Sequence, residues 1–432
     1  MHALKAFTRR FLVFLLTLEA KAVLKRFSPH IIAVTGSVGK TSTKDAVYTA
    51  LAGSYFVRKS EKSFNSDIGV PLTILGVPNG WSNPFQWLKN LADGFSLLLL
   101  RPVYPAWLVI EVGADRPGDI SRSLTWLSPD IVVATRFPDV SVHVEYYASP
   151  EDVVKEELAP AAWLGSGGAY VYNHDDAKAA AAITFEDVRR ISFGFGEGAD
   201  VRATHLRYTG VKKTATGISF DIAYGDERTH VVMKGVLGAA HAYAVIGGVA
   251  AALAAGVPLV RAVADIESHV PPPGRMRLIE GRNGSVVIDD TYNASPAATE
   301  EALSALAAAP RIGKRIAVLA DMLELGSYSV DEHRRIGALA AESTELLVTV
   351  GVRARNLAEA AIASGLDPSR VLSLDSGTDV AAQMPALVEA GDIVLVKGSQ
   401  SMRMEKVVKA LMANPDDAKR LLVRQDEEWE RR

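Results

Sequence analysis

Cysteine is absent from all 432 residues, which removes disulfide scaffolds, thiolate metal sites and cysteine nucleophiles together. Neither sign of charge dominates. The 47 Lys and Arg residues face 50 Asp and Glu, a balance that argues against nucleic acid as the main partner. No apolar run approaches the ~20 residues that a bilayer-spanning helix needs. Nor does any period of about 20–50 residues recur, so a solenoid is excluded. What remains is an ordinary globular mixture, 48% hydrophobic and 22% charged. At ~100–200 residues per domain, such a chain holds about two to four domains. The lack of cysteine also fits a reducing cytoplasm.

Residues 1–28 carry an apolar stretch, Phe11 to Leu16, between Arg9, Arg10, Lys21, Lys25 and Arg26. No small-residue cleavage site follows, so a signal peptide is disfavoured. Two readings stay open: an amphipathic helix packed on the domain, or one lying in a membrane interface with its basic residues toward anionic lipid. From Ile31 apolar runs alternate with helical stretches: IIAV, Lys40 to Ala52, WLVIEV at 107–112, DIVVAT at 130–135 and AYVYN at 169–173. That alternation predicts a mostly parallel α/β sheet. Around 200–235 shorter alternating runs predict an antiparallel subsheet, followed by an Ala-rich helix from His241 to Ala255.

Pro271, Pro272, Pro273 and Gly274 are the strongest punctuation and set a boundary. Beyond it, VVID at 286–289, RIAVLA at 315–320, LLVTVG at 346–351, VLSL at 371–374 and DIVLVK at 392–397 predict a second, Rossmann-like sheet. The expected division is 1–28, 29–272 and 273–432, with the charged tail from Asp416 read as a solvated helix end.

The segment Ile31 to Ser42 reads strand, glycine-bearing loop, helix. Gly36 and Gly39 let backbone N–H groups turn toward phosphate, Lys40 neutralises β/γ oxygens and Thr41 suits Mg²⁺. The general GxxxxGK[ST] pattern is not met, because Val34 stands where its first glycine belongs.

The loop TGSVGKTS resembles the ATP-binding loop of the Mur ligase family, ATP-dependent amide ligases of bacterial cell-wall synthesis. FNSDIGVPLT from Phe64, VIEVGADRPGDI from Val109, IDDTYNASP from Ile288, LADMLELG from Leu319 and VKGSQSMRMEK from Val396 agree in order and spacing. The resemblance covers about residues 30–412 and is strongest to members that add D-alanyl-D-alanine to a UDP-muramoyl tripeptide. It implies a central P-loop ATPase domain with a C-terminal Rossmann-like domain closing over it. It also implies a cytoplasmic monomer using ATP and Mg²⁺, with small-molecule peptide and sugar-peptide substrates and no nucleic acid.

By resemblance, Thr35, Gly36, Ser37, Val38, Gly39, Lys40, Thr41 and Ser42 hold ATP, with Arg275, Asp290, Tyr292 and Asn293 approaching it from the third segment. Thr41, Glu111 and His143 are the expected metal ligands. Lys40, Glu111, His143 and Glu157 form the expected catalytic set, and Asn65, Asp321, Glu324, His333, Lys397 and Ser399 the substrate set.

Several positions depart from the family pattern. Glu157 stands where the family usually has a carbamylated lysine, and is read either as a direct anionic replacement or as a surface carboxylate of the EDVVKEEL helix. Ala242 and Val245 replace asparagines expected after His241, Gln400 an arginine, and Ser66 an asparagine. The usual uridine-binding N-terminal domain is not expected, because 28 residues precede the ATPase strand. A lipid-linked or non-muramoyl peptide acceptor is therefore a second reading, with residues 1–28 and 80–107 open to peripheral membrane contact. A third is a P-loop ATPase or binding protein with a decayed ligase pocket.

Overall fold

The computed structural model describes residues 2–61, 64–100, 102–122, 124–182, 186–426 and 429. Two sheets form from the alternating pattern. The first contains β1 (His30–Thr35), β2 (Val57–Lys59), β3 (Trp107–Glu111), β4 (Ile131–Ala134), β5 (Ala169–Asn173), β6 (Arg189–Gly194), β7 (Val201–Val211), β8 (Thr214–Tyr224) and β9 (Glu227–Lys234). Their order is β2-β3-β1-β4-β5-β6-β7-β8-β9. Pairing is parallel as far as β7 and antiparallel through β8 and β9. Every residue of β3 and β4 is buried, the continuous apolar run that a sheet covered on both faces requires.

The second sheet contains β10 (Arg277–Glu280), β11 (Val286–Asp290), β12 (Arg315–Ala320), β13 (Leu346–Val350), β14 (Val371–Leu374) and β15 (Ile393–Lys397). Its order is β10-β11-β15-β12-β13-β14, parallel except for β10 against β11. The edge strand β10 is an addition to the sequence expectation. It begins four residues after Pro273, and its four residues are too few to show a period.

Helices α1 (His2–Phe27), α2 (Lys40–Ala52), α3 (Gly69–Leu75), α4 (Pro84–Leu99) and α5 (Pro150–Leu158) belong with the first sheet. The Ala-rich helix Ala239–Ala254 lies against α2, and a Cβ at Gly248 would come within 2.8 Å of the Ala46 backbone. Small residues there let two backbones approach. Helix α1 packs on α3 and α4 and buries Leu16, Ala20 and Val23. Arg26 at its end donates to the carbonyls of Leu98 and Leu100, 2.6 and 2.9 Å away, which ties α1 to the end of α4. No helix among the described residues is long and apolar enough to cross a membrane.

The tail corrects its sequence reading. Leu422 is buried, and the Arg424 side chain packs against Glu405 rather than into solvent. The positions are charged in sequence, but an arginine finds buried partners there. Residues 427, 428 and 430–432, part of the same expectation, lie outside the described residues.

Candidate active site

Strand β1 ends at Thr35 and passes through Gly36 to Gly39 into α2, which opens at Lys40. Gly36 (φ 130°) and Gly39 (φ 91°) both lie in the left-handed region, and a Cβ on Gly36 would overlap the Thr135 hydroxyl. The residues after β4 brace the loop. Thr135 Oγ1 lies 3.0 Å from the Thr35 carbonyl and 2.7 Å from that of Val38. The N–H groups of Ser37 and Val38 donate to the Arg136 carbonyl at 2.9 and 3.1 Å. Those two donors therefore face protein here, and a phosphate would have to take them from Arg136. The Lys40 ammonium folds back onto the Gly36 carbonyl and lies 3.0 Å from Glu157 Oε1.

Helix α5 delivers Glu157. Ser149 caps the helix by accepting from the Asp152 N–H, Pro150 opens it, and Val153, Val154 and Glu157 share the buried face. Glu157 is only 3% exposed, which overturns the reading of it as a surface carboxylate. Its Oε2 accepts from the Ser37 hydroxyl and its backbone carbonyl from the Thr35 hydroxyl. Ser141 in turn donates to Ser37 Oγ at 2.9 Å.

Glu111 ends β3 and pairs in register with Val34 of β1, which sets its carboxylate at the carboxyl edge of the sheet beside the loop. It is 1% exposed. The Thr41 hydroxyl donates to Oε1 at 3.2 Å, and Oε2 has no hydrogen-bond partner. A hydroxyl and a buried carboxylate are hard oxygen donors, and Mg²⁺ takes one or two such groups and completes its shell with phosphate and water. The residues present therefore fit magnesium. Among the described residues no cluster of three or more His, Asp or Glu side chains is set to hold a metal by itself.

Lys44, one helical turn beyond Lys40, is 1% exposed and lies 3.5 Å from Glu111 Oε2. Sequence reasoning missed it, although the i, i+4 spacing from Lys40 was the signal. Asn65 is brought close to Lys40: a Cβ on Gly113 would meet Asn65 Nδ2 at 2.8 Å and Lys40 Cε at 3.2 Å.

His143 and Glu324 meet across the two sheets' loops, with His143 Nδ1 2.6 Å from Glu324 Oε2 and Nε2 3.5 Å from Asp115. Both have positive φ, 69° and 63°. The closely placed His143 lowers the Glu324 carboxyl below its ordinary range. The Glu145 N–H donates to the Glu324 carbonyl at 3.4 Å, so backbone and side chain both join the segments.

The remaining expected residues divide. Lys397 is 2% exposed and is held by Asp290 Oδ2 at 2.6 Å and the Asn293 carbonyl at 3.0 Å, so it braces the Asp290–Asn293 loop. His333 is fully buried and receives the Met322 N–H at 3.0 Å, while its other ring nitrogen lies 2.7 Å from the Ser329 carbonyl. Burial lowers its affinity for a proton. Asp321 accepts the Ala354 N–H at 2.7 Å, and Ser399 accepts that of Leu323 at 2.9 Å. These three shape the loop that carries Glu324.

Arg275 stacks on Tyr292 with 4.0 Å between guanidinium and ring, and its buried Nε lacks a partner. The buried Arg424 donates to the carbonyls of Thr291 and Tyr292 and lies 3.2 Å from Glu405. No sequence motif marked it. Near the loop, a cleft of about 510 Å³ lies between the segments, lined by Arg136, Asp175, Glu300 and Arg335 among others.

Two family models match the chain: Mur ligase middle domain over residues 95–252, and Mur ligase, glutamate ligase domain, over residues 274–400. The UDP-N-acetylmuramoyl-tripeptide--D-alanyl-D-alanine ligase of Bacillus subtilis is 27% identical over 405 residues, 92% of this chain and 79% of that protein. The enzyme of the same name from Escherichia coli is 27% identical over 403 residues, covering 91% and 79%. Among solved structures, MurF from Acinetobacter baumannii aligns with a TM-score of 0.74 at 23% identity, covering 93% of this chain and 80% of that one. The MurF ligase from Thermotoga maritima in complex with ADP aligns with a TM-score of 0.74 at 22% identity, covering 95% and 84%. At those identities the structural likeness establishes a shared fold.

Proposed function

The chain belongs to the Mur ligase family, and we propose that it is an ATP-dependent amide ligase joining D-alanyl-D-alanine to a UDP-muramoyl tripeptide. One observation carries the reading: where the β1 loop opens into α2, Thr41 meets Glu111 at the carboxyl end of β3 while the adjacent Lys40 meets Glu157. That arrangement sets a cation, a hydroxyl and a buried carboxylate where a triphosphate would meet the sheet edge.

In the reaction, a carboxylate oxygen of the tripeptide attacks the γ-phosphorus of ATP and ADP leaves. The amine of the dipeptide then attacks the acyl carbon. Phosphate departs with one former carboxylate oxygen, and the amine proton passes to solvent. Lys40 neutralises the γ-phosphoryl oxygens as charge shifts between donor and acceptor. Thr41 and Glu111 would hold magnesium, which supplies charge neutralisation and orientation of the phosphates. Glu157 orients Lys40 through its carboxylate and the loop through Ser37. Arg275 and Tyr292 offer a cation and a ring face to the nucleotide, with Asp290 and Asn293 shaping their loop.

Asn65 and Glu324 are the expected substrate groups best placed to reach reactants, while Asp321, His333, Lys397 and Ser399 hold the pocket's frame. The metal-ligand role of His143 is drawn from the family resemblance. The same reading treats 1–28, 29–272 and 273–432 as three parts of one monomer working on the cytoplasmic side, where ATP is supplied.

Mass spectrometry after incubation with ATP, Mg²⁺, D-alanyl-D-alanine and either a UDP-muramoyl tripeptide or its lipid-linked counterpart tests the proposal. A pentapeptide product with stoichiometric ADP supports it. ADP release that ignores both peptide substrates would instead mark an ATPase. A lipid-linked acceptor is the second reading, favoured by the apolar faces of α1 and α4 that remain exposed.

A further inference from the structure

Helix α1 is apolar on two opposite faces. Leu16, Ala20 and Val23 point into the core, yet Phe7, Phe11, Phe14 and Leu18, spaced three and four apart, are 67%, 54%, 61% and 56% exposed. That spacing gathers them into a single stripe along the side turned away from the core. Neighbouring α4 repeats the pattern. It buries Asn90 and Gly94, while Phe85, Leu88, Phe95 and Leu99, spaced three, seven and four apart, form an exposed stripe on the opposite side. The two helices pack together, and Arg26 locks the end of one to the end of the other. Exposed aromatic and leucine residues concentrated on two adjoining helices exceed the scattered apolar exposure of an ordinary surface.

Charge selects the occupant. The α1 sequence contains six Lys and Arg residues and a single acid, Glu19, although the whole chain is net −3. Arg10, Lys21 and Lys25 are exposed beside the stripe. The lone acid is itself weakened, because burial pushes the Glu19 carboxyl up to about 7. A second copy docking through the same face would bring two basic helices together. An anionic lipid surface instead complements the charge while accepting the aromatic stripe at the headgroup boundary.

We propose that the paired outer faces of α1 and α4 form a peripheral docking surface for an anionic bilayer, with both helices lying in the interface plane. The inference goes beyond the ligase reading and stands or falls separately from it, since vesicle binding needs no turnover.

Co-sedimentation of the full chain with vesicles of phosphatidylcholine alone, or of phosphatidylcholine with one third phosphatidylglycerol, provides the test. Binding is expected to the mixed vesicles, to fall at least tenfold on pure phosphatidylcholine, and to weaken with salt. The variant Phe7→Ser/Phe11→Ser/Phe14→Ser/Phe95→Ser should lose binding at least tenfold while keeping its melting transition, because all four side chains are already exposed. Arg10→Gln/Lys25→Gln should lose the preference for anionic lipid. Protein remaining in the supernatant with both vesicles, or equal binding by wild type and the fourfold variant, would overturn the proposal. So would a dimer by light scattering that the fourfold variant converts to monomer, since that would assign the face to a second copy.

Discussion

The ammonium of Lys40 and the carboxylate of Glu157 stand 3.0 Å apart, with side chains only 15% and 4% exposed. The pair joins two segments 117 residues apart and couples the phosphate loop to α5. Glu157 thus gives the Lys40 ammonium a fixed negative partner at the phosphate loop.

Replacing the lysine tests its charge. Lys40→Ala is expected to lower kcat by about 10²–10³-fold, the usual cost of removing one fixed group that stabilises developing charge. Steady-state ADP formation in the presence of both peptide substrates measures it. Unchanged turnover would remove Lys40 from the chemistry.

Glu157→Gln keeps the size of the side chain and removes its charge. Roughly 10–100-fold lower activity is expected, in line with the loss of groups that orient a site from behind. Glu157→Asp should recover part of the loss, as charge returns with a shorter reach. Full activity in Glu157→Ala at an unchanged Mg²⁺ requirement would show that the carboxylate only fills space.

Much of this arrangement is readable from the chain alone. The loop from Gly36 to Thr41 and the strand-end Glu111 are local patterns, and the parallel sheet follows from buried apolar runs. Partnerships between distant positions are not readable. Lys397 looks like a free cation in KGSQSMRMEK, yet it pairs with Asp290 107 residues away and becomes a brace. Arg424 falls in a charged tail whose composition suggests solvent, and only the folded chain gives it Glu405 and two loop carbonyls. Glu157 reads equally as surface or site in the sequence, and only its burial in the folded chain removes the surface reading.

The buried Arg424–Glu405 pair yields a stability prediction. Arg424→Ala leaves Glu405 buried without that partner, and breaking such a pair costs about 3–5 kcal/mol. Because Arg403 also contacts Glu405, the lower end of that range is expected. Chemical denaturation measures the loss, and KM for ATP should rise as the Tyr292 loop loses its anchor. A variant with wild-type stability and KM would show that the tail does not hold the loop.

Glu19 gives a pH dependence. Its carboxyl rises from 4.5 to about 7 through burial, and its Oε2 has no hydrogen-bond partner. The neutral form is thus the one the folded state prefers. Its contribution to stability is fully present below about 4.5 and is lost as pH rises through about 7. Glu19→Gln, neutral throughout, should therefore gain on wild type between pH 5 and pH 8. A difference on the order of 1–2 kcal/mol is expected after solvent screening. Parallel melting curves of the two proteins across that range would contradict the assignment.

The contact between His143 and Glu324 should register as coupling rather than as bulk stability. Both side chains are partly exposed, so a double-mutant cycle with alanine at each position should return about 1 kcal/mol or less. KM for ATP is the readout that reports closure of the two segments. Strict additivity would leave the contact without a role in closure.

Transfer of oxygen from the acid to phosphate is the most direct measurement of all. With ¹⁸O placed in the acceptor carboxylate, activation by the γ-phosphoryl group requires that one labelled oxygen leave in each inorganic phosphate released. Mass spectrometry of the phosphate should show that single label in step with amide formation. Unlabelled phosphate accompanying a normal amide product would contradict activation of the acid at the Lys40 and Glu111 site.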